Sequence, residues 1–126
     1  VITFATAASI IGENGKITIT GTPVSSALAI TLGGSAGGNI TTVIAGARTL
    51  TKNGSGTWKL SNTNTYTGAT TINAGTLEIG ATGAIRTTGG AGVVLNGGTL
   101  STGSGAGYTD GTSGTPIASG LTLSAA

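Results

Sequence analysis

Eight of the 126 residues carry a formal charge at neutral pH: Glu13, Glu78 and Asp110 against Lys16, Arg48, Lys52, Lys59 and Arg86. These are the groups with which the chain could do acid–base or nucleophilic chemistry, because histidine and cysteine are absent. A serine nucleophile needs a base within reach, and only Lys16, Lys52 or Lys59 could serve one. No spacing in the sequence favours such a pair. Hydrolysis of a glycosidic bond needs two carboxylates flanking it, whereas Glu13, Glu78 and Asp110 lie in widely separated segments. Without thiols there is no disulfide framework and no thiolate metal site. The inventory predicts a non-catalytic protein with no cofactor and no bound metal.

Binding chemistry offers a few more candidates. Gly105-Ala106-Gly107-Tyr108-Thr109-Asp110-Gly111 resembles a calcium-binding nonapeptide turn, but a single acid is a poor ligand set and a tight Asp-Gly turn accounts for it equally. Trp58 and Tyr66 would make a sugar-stacking surface if they faced outward. Alternation puts Trp58 and Leu60 on the same face, which favours packing. The sequons at Asn39-Ile40-Thr41 and Asn53-Gly54-Ser55 are expected by chance in a chain this rich in Thr and Ser. The basic pI of 9.4 rests on a net charge of +2 without any basic run, so nucleic-acid binding is not expected. No apolar stretch approaches the roughly 18 residues of a membrane-spanning helix, so this chain is not expected to insert in a membrane.

What positions these residues must be β-structure. Glycine contributes 25 residues, Met is absent, and Trp, Phe and Tyr together number four, which is too little helix propensity and too little bulk for a conventional core. Low charge with a mean hydropathy of +0.34 argues against disorder. Apolar and polar residues alternate with period two in Val1–Phe4, Lys16–Thr20, Leu28–Leu32, Thr57–Leu60, Thr76–Ile79 and Leu121–Leu123. Between these lie turn signals: Asn-Gly at Asn14, Asn53 and Asn96, Gly-Gly at Gly33, Gly37, Gly89 and Gly97, and Pro23 and Pro116.

One template recurs. Gly56-Thr57-Trp58-Lys59-Leu60, Gly75-Thr76-Leu77-Glu78-Ile79 and Gly98-Thr99-Leu100-Ser101-Thr102 align, with Leu121-Thr122-Leu123 as a weaker fourth copy. A longer unit, Ile72-Asn73-Ala74-Gly75-Thr76-Leu77, is matched by Leu95-Asn96-Gly97-Gly98-Thr99-Leu100. A period of about 20 residues with short strands and Gly/Asn turns is that of a β-solenoid, in which each coil buries its apolar face against its neighbours. The sequence therefore predicts a single all-β domain over residues 1–126, a parallel β-helix of about six coils. The repeat-bearing positions are Trp58, Leu60, Asn73, Leu77, Asn96 and Leu100. Asn73 and Asn96 either stack as an amide ladder or act as separate turn residues.

Residues 50–80, which hold Asn64-Thr65-Tyr66-Thr67-Gly68 and Asn73-Ala74-Gly75-Thr76-Leu77, resemble the autotransporter-associated β-strand repeat, also called the passenger-associated transport repeat. That resemblance covers about a quarter of the chain. It departs from the family pattern at Trp58, where an aliphatic residue is usual, and at Asn62, where Gly is usual. It implies a secreted or surface-displayed parallel β-helix from a Gram-negative-type bacterium, with a structural and secretion-associated role.

The two ends frame the functional expectation. Neither Val1-Ile2-Thr3-Phe4-Ala5 nor Leu121-Thr122-Leu123 reads as a polar cap, and an uncapped coil is an open sheet edge. These segments are the candidate self-assembly contacts, through which head-to-tail stacking would yield a homopolymer. The expectation is thus a structural subunit of an extracellular fibre or matrix. The alternative is a passenger adhesin displaying a surface that binds glycans or cells.

Overall fold

The computed structural model describes residues 7–21, 24–25, 27–80, 85, 92–102 and 121–123, which form fourteen short strands and, among the described residues, no helix. Val1 to Ala5, Arg86 and the Gly105–Gly111 turn with Asp110 lie outside the described residues. All strand pairings are parallel and link each coil to the next. This is the parallel β-solenoid the sequence predicted.

Three faces make up the coil. The first is a six-stranded sheet of β1 (Ala8–Ile11), β4 (Ile30–Gly33), β7 (Leu50–Lys52), β10 (Thr70–Ile72), β12 (Val93–Leu95) and β14 (Leu121–Leu123). The second, five-stranded, stacks β2 (Ile17–Ile19), β5 (Gly37–Ile40), β8 (Thr57–Leu60), β11 (Thr76–Ile79) and β13 (Thr99–Thr102). The third holds three strands, β3 (Val24–Ser25), β6 (Ile44–Gly46) and β9 (Thr65–Tyr66). The described residues amount to about four turns rather than about six. The difference arises because the third face has strands in only three coils, although the first face reaches six.

Alternation decides which side chains enter the lumen, since a parallel strand sends successive side chains to opposite faces. On the second face Ile17, Gly38, Trp58, Leu77 and Leu100 occupy one register column. The equivalence of Trp58, Leu77 and Leu100 read from the repeat therefore holds in three dimensions. Leu121 does not share it. β14 pairs with β12, Leu121 opposite Val93, and so joins the first face. The Leu-Thr-Leu motif lacks the preceding Gly-Thr that leads β8, β11 and β13 out of their corners, and it matches the apolar-X-apolar pattern of Val93-Val94-Leu95. A second correction concerns Gly37-Gly38, read as a turn signal but placed inside β5.

The core is a continuous apolar column. Leu32, Leu50, Trp58, Leu60, Tyr66, Ile72, Leu77 and Val93 are fully buried, joined by Ile30, Ile40, Ile44 and Ile79. Leu100 packs against this cluster from its partly buried rim. The sharp corner between the first and second faces depends on glycine at Gly34, Gly54, Gly75 and Gly97, where φ runs from 64 to 99°. Side-chain-bearing residues rarely adopt that conformation. The corners also stack directly: a Cβ at Gly54 would lie 2.6 Å from the amide nitrogen of Gly34 one coil earlier.

Candidate functional site

Among the described residues, polar side chains gather at the corner between the first two faces and on the outer surface of the second face. At the corner, Lys52 occupies an inward position of β7, in the same column as Ile10, Leu32, Ile72 and Leu95. Its side chain is buried. The ammonium reaches the corner and donates to three carbonyl oxygens, those of Asn53 and Gly54 at 2.8 Å each and of Ala74, one coil on, at 3.1 Å. An ammonium has three protons to give, and here each has an acceptor. Burial lowers the Lys52 pKa from the ordinary lysine value, while the carbonyls favour the charged form.

Beside this ammonium stands an amide column. Asn73 Nδ2 donates to Asn53 Oδ1 at 2.7 Å, and Asn96 Nδ2 donates to Asn73 Oδ1 at 3.1 Å. Asn73 and Asn96 thus stack as a ladder on the outside of the corner, and Asn53 extends it by one coil. Gly54, Gly75 and Gly97 supply the left-handed turns after these asparagines.

Further interior polar groups are each tied down. Trp58 Nε1 donates to the Gly33 carbonyl at 2.9 Å. The Tyr66 hydroxyl lies 2.6 Å from Thr70 Oγ1, and burial raises the Tyr66 pKa. Asn64 Oδ1 accepts from the Ile44 amide at 2.7 Å. Arg48 is buried as well, its Nε donating to the Ala45 carbonyl at 2.8 Å. Trp58 and Tyr66 are both fully buried, so they form no sugar-stacking surface. Lys52, considered as a base for a serine, is committed to backbone carbonyls instead.

The interior placement of Arg48 and Lys52 was not read from the sequence. For Lys52 a signal existed: Leu50-Thr51-Lys52 aligns with Thr70-Thr71-Ile72, which puts the lysine where the next coil has isoleucine. For Arg48, in the connection before β7, no periodic pattern applies.

The outer surface of the second face carries Thr18, Asn39, Lys59, Glu78 and Ser101 as one register column on successive coils. Lys59 and Glu78 form an ion pair at 2.9 Å. Ser61 Oγ donates to Asn39 Oδ1 at 2.6 Å. A depression of about 340 Å³ opens on this face, lined by Lys16, Thr18, Asn39, Thr57, Lys59 and Glu78. Gly38 forms part of its floor. Of the six charged side chains among the described residues, Arg48 and Lys52 are interior, and Glu13 lies beside Ser35. The remaining three line this depression.

Among the described residues no three of Asp, Glu, His or Cys come together as a metal site, and no helix is long and apolar enough to cross a membrane.

Against this geometry, residues 50–79 match the model of the passenger-associated-transport-repeat family. The matched span runs from β7 through β11 and so contains Lys52, Asn53, Trp58, Tyr66, Asn73 and Leu77, the residues that knit two neighbouring coils. The chain therefore carries one such repeat, and its solenoid fits a segment of an autotransporter-like passenger. No curated protein and no solved structure matches the chain.

Proposed function

We propose that this chain is a non-catalytic structural segment of a secreted or surface-displayed bacterial passenger, and that its coils stack head to tail on further copies to build a fibre. The observation that supports the reading is the repeated match between coils. The same columns of apolar side chains, corner glycines and corner asparagines run from coil to coil, and every strand adds to the next in parallel. Such an object behaves as a rod whose strength comes from nearest-neighbour contacts. Of the six charged groups among the described residues, two are interior, three line one outer face and Glu13 stands apart beside Ser35, which is not the disposition of a reactive cluster.

Within the six-stranded face, β1 and β14 are the two outer strands. Both run in the same direction as their neighbours, so an edge like that of β14 in one copy can accept an edge like that of β1 in the next without a change of register hand. The contact is heterologous and does not close, which produces a filament rather than a ring. Val1 to Ala5 and Leu121 to Leu123 are the segments assigned to this junction. Electron microscopy of the purified chain at neutral pH, with no ligand added, tests the reading. Continuous thin fibres are expected. Monodisperse short particles over a wide range of concentration would refute head-to-tail assembly and leave a solitary rod.

A further inference from the structure

We infer that the depression on the outer surface of the second face is a binding site for an extended acidic polysaccharide, a chain carrying uronic-acid carboxylates. The inference rests on the surface-display reading above only in that such a ligand is met outside the cell. Three observations carry it.

First, charge is concentrated there against the grain of the molecule. A chain with eight charged residues in 126 places Lys16, Lys59 and Glu78 around one depression. The Lys59–Glu78 pair is internally neutralised at 2.9 Å. Lys16 is exposed and leaves the site with a net positive charge, so a ligand bearing carboxylates is favoured over a neutral or cationic one.

Second, the remaining lining has the chemistry of hydroxyl recognition. Asn39 offers its amide, held in place through the 2.6 Å bond its oxygen receives from Ser61. Thr18 and Thr57 add hydroxyls that both donate and accept, and Glu78 adds carboxylate acceptors. A sugar ring presents donors and acceptors of this kind side by side, whereas an acidic peptide presents few hydroxyls.

Third, the groups recur at the coil spacing. Thr18, Asn39, Lys59 and Glu78 stand on consecutive strands of one register column, and parallel strands lie about 4.8 Å apart. A pyranose chain laid along the solenoid axis advances by a comparable step, so successive sugars meet successive coils.

The test is titration of the intact chain with a hexamer of galacturonate. Binding is followed by backbone amide NMR shifts and by calorimetry, with a neutral glucose hexamer and poly-glutamate of similar length as comparators. Shifts confined to β2, β5, β8 and β11 are expected for the hexuronate, with affinity falling as salt rises and about tenfold weaker binding of both comparators. Lys16→Gln should weaken binding about tenfold, while Glu78→Gln, which releases Lys59 from its pair, should strengthen it several-fold. The two variants move in opposite directions, so a general loss of folding cannot imitate the result. Absence of shifts on this face, equal binding of the neutral hexamer or poly-glutamate, or identical affinity in both variants would overturn the inference. Binding is read on the unassembled chain, so its failure is separate from a failure to form fibres.

Discussion

At the scale of single residues, one close steric constraint in the solenoid links Gly38 to Trp58. They are register partners on adjacent strands, and a Cβ at Gly38 would sit 2.7 and 2.9 Å from the Cζ3 and Cη2 atoms of the indole. The lumen has room for the indole at Trp58 because the coil before it gives up a side chain. Gly38→Ala should therefore destabilise the fold by about 1–3 kcal/mol through overpacking. Trp58→Leu, which substitutes the residue type found at Leu77 and Leu100, should cost about 2–4 kcal/mol through the cavity left over Gly38. The double variant should lose less than the sum, because each change relieves part of the other's defect. It stays below the parent, since the added Cβ also meets the Ile17 carbonyl. Urea unfolding of the four proteins measures all three quantities, and strict additivity would show that the indole and the glycine do not share a space.

At the scale of strands and corners, each coil is held to the next by side chains as well as by backbone pairing. The amide ladder of Asn53, Asn73 and Asn96 is the regular part, and the Lys52 ammonium, bonding carbonyls of two coils, is the singular part. Asn73→Ala removes both ladder bonds, whereas Asn96→Ala removes one. Partly exposed bonds of this kind are each worth about 0.5–1.5 kcal/mol. The expected order of thermal stability is parent, Asn96→Ala, Asn73→Ala, by calorimetry. Equal losses at both positions would mean that the asparagines serve their own turns rather than each other. This is also the scale at which the sequence was most informative. Thr57–Leu60 and Thr76–Ile79 are strands with the predicted bounds, and the equivalence of Trp58, Leu77 and Leu100 is their register. The period-two signal and the Gly-Thr lead-in coincide there. Alternation without the lead-in still pointed to β2 and β4, within Lys16–Thr20 and Leu28–Leu32, whereas β5, which begins with two glycines, and β1, which ends on two adjacent isoleucines, were not read, and Leu121, which follows the template only at its apolar positions, was set in the wrong column. The outer depression was illegible for another reason. Lys16, Asn39, Lys59 and Glu78 are up to 62 residues apart in sequence and become neighbours only once coil length fixes their register.

At the scale of the whole molecule, nearly all contacts are between adjacent coils, so stability is distributed along a line and interior coils have two partners where terminal ones have one. Proteolysis reads this directly. Arg48 and Lys52 are buried in the middle coils, while Lys16 lies exposed near the start of the solenoid. Limited trypsin digestion of the folded chain should cut after Lys16 well before it cuts after Arg48 or Lys52, as shown by mass spectrometry of the early fragments. Simultaneous cleavage at all three would indicate that the middle coils open as readily as the first. The low charge of the chain fits a solenoid of this kind, since coils stacked in parallel at about 4.8 Å would bring like charges of equivalent positions together. Lys59 and Glu78, of opposite sign on successive strands, satisfy that restriction.

The corner asparagines have a consequence for how long the molecule lasts. Asparagine followed by glycine is chemically perishable: the next amide nitrogen attacks the side-chain carbonyl, ammonia leaves, and water opens the resulting succinimide to aspartate or isoaspartate. Asn14, Asn53 and Asn96 are all followed by glycine. Asn53 and Asn96 are clasped in the ladder, with the corner backbone fixed by stacked glycines, whereas Asn14 stands outside that column. The stacking that shapes the corner thereby slows the ageing of the residues within it. One converted rung would replace an amide donor with a negative charge, and weathering of such a rod in its surroundings would begin at Asn14.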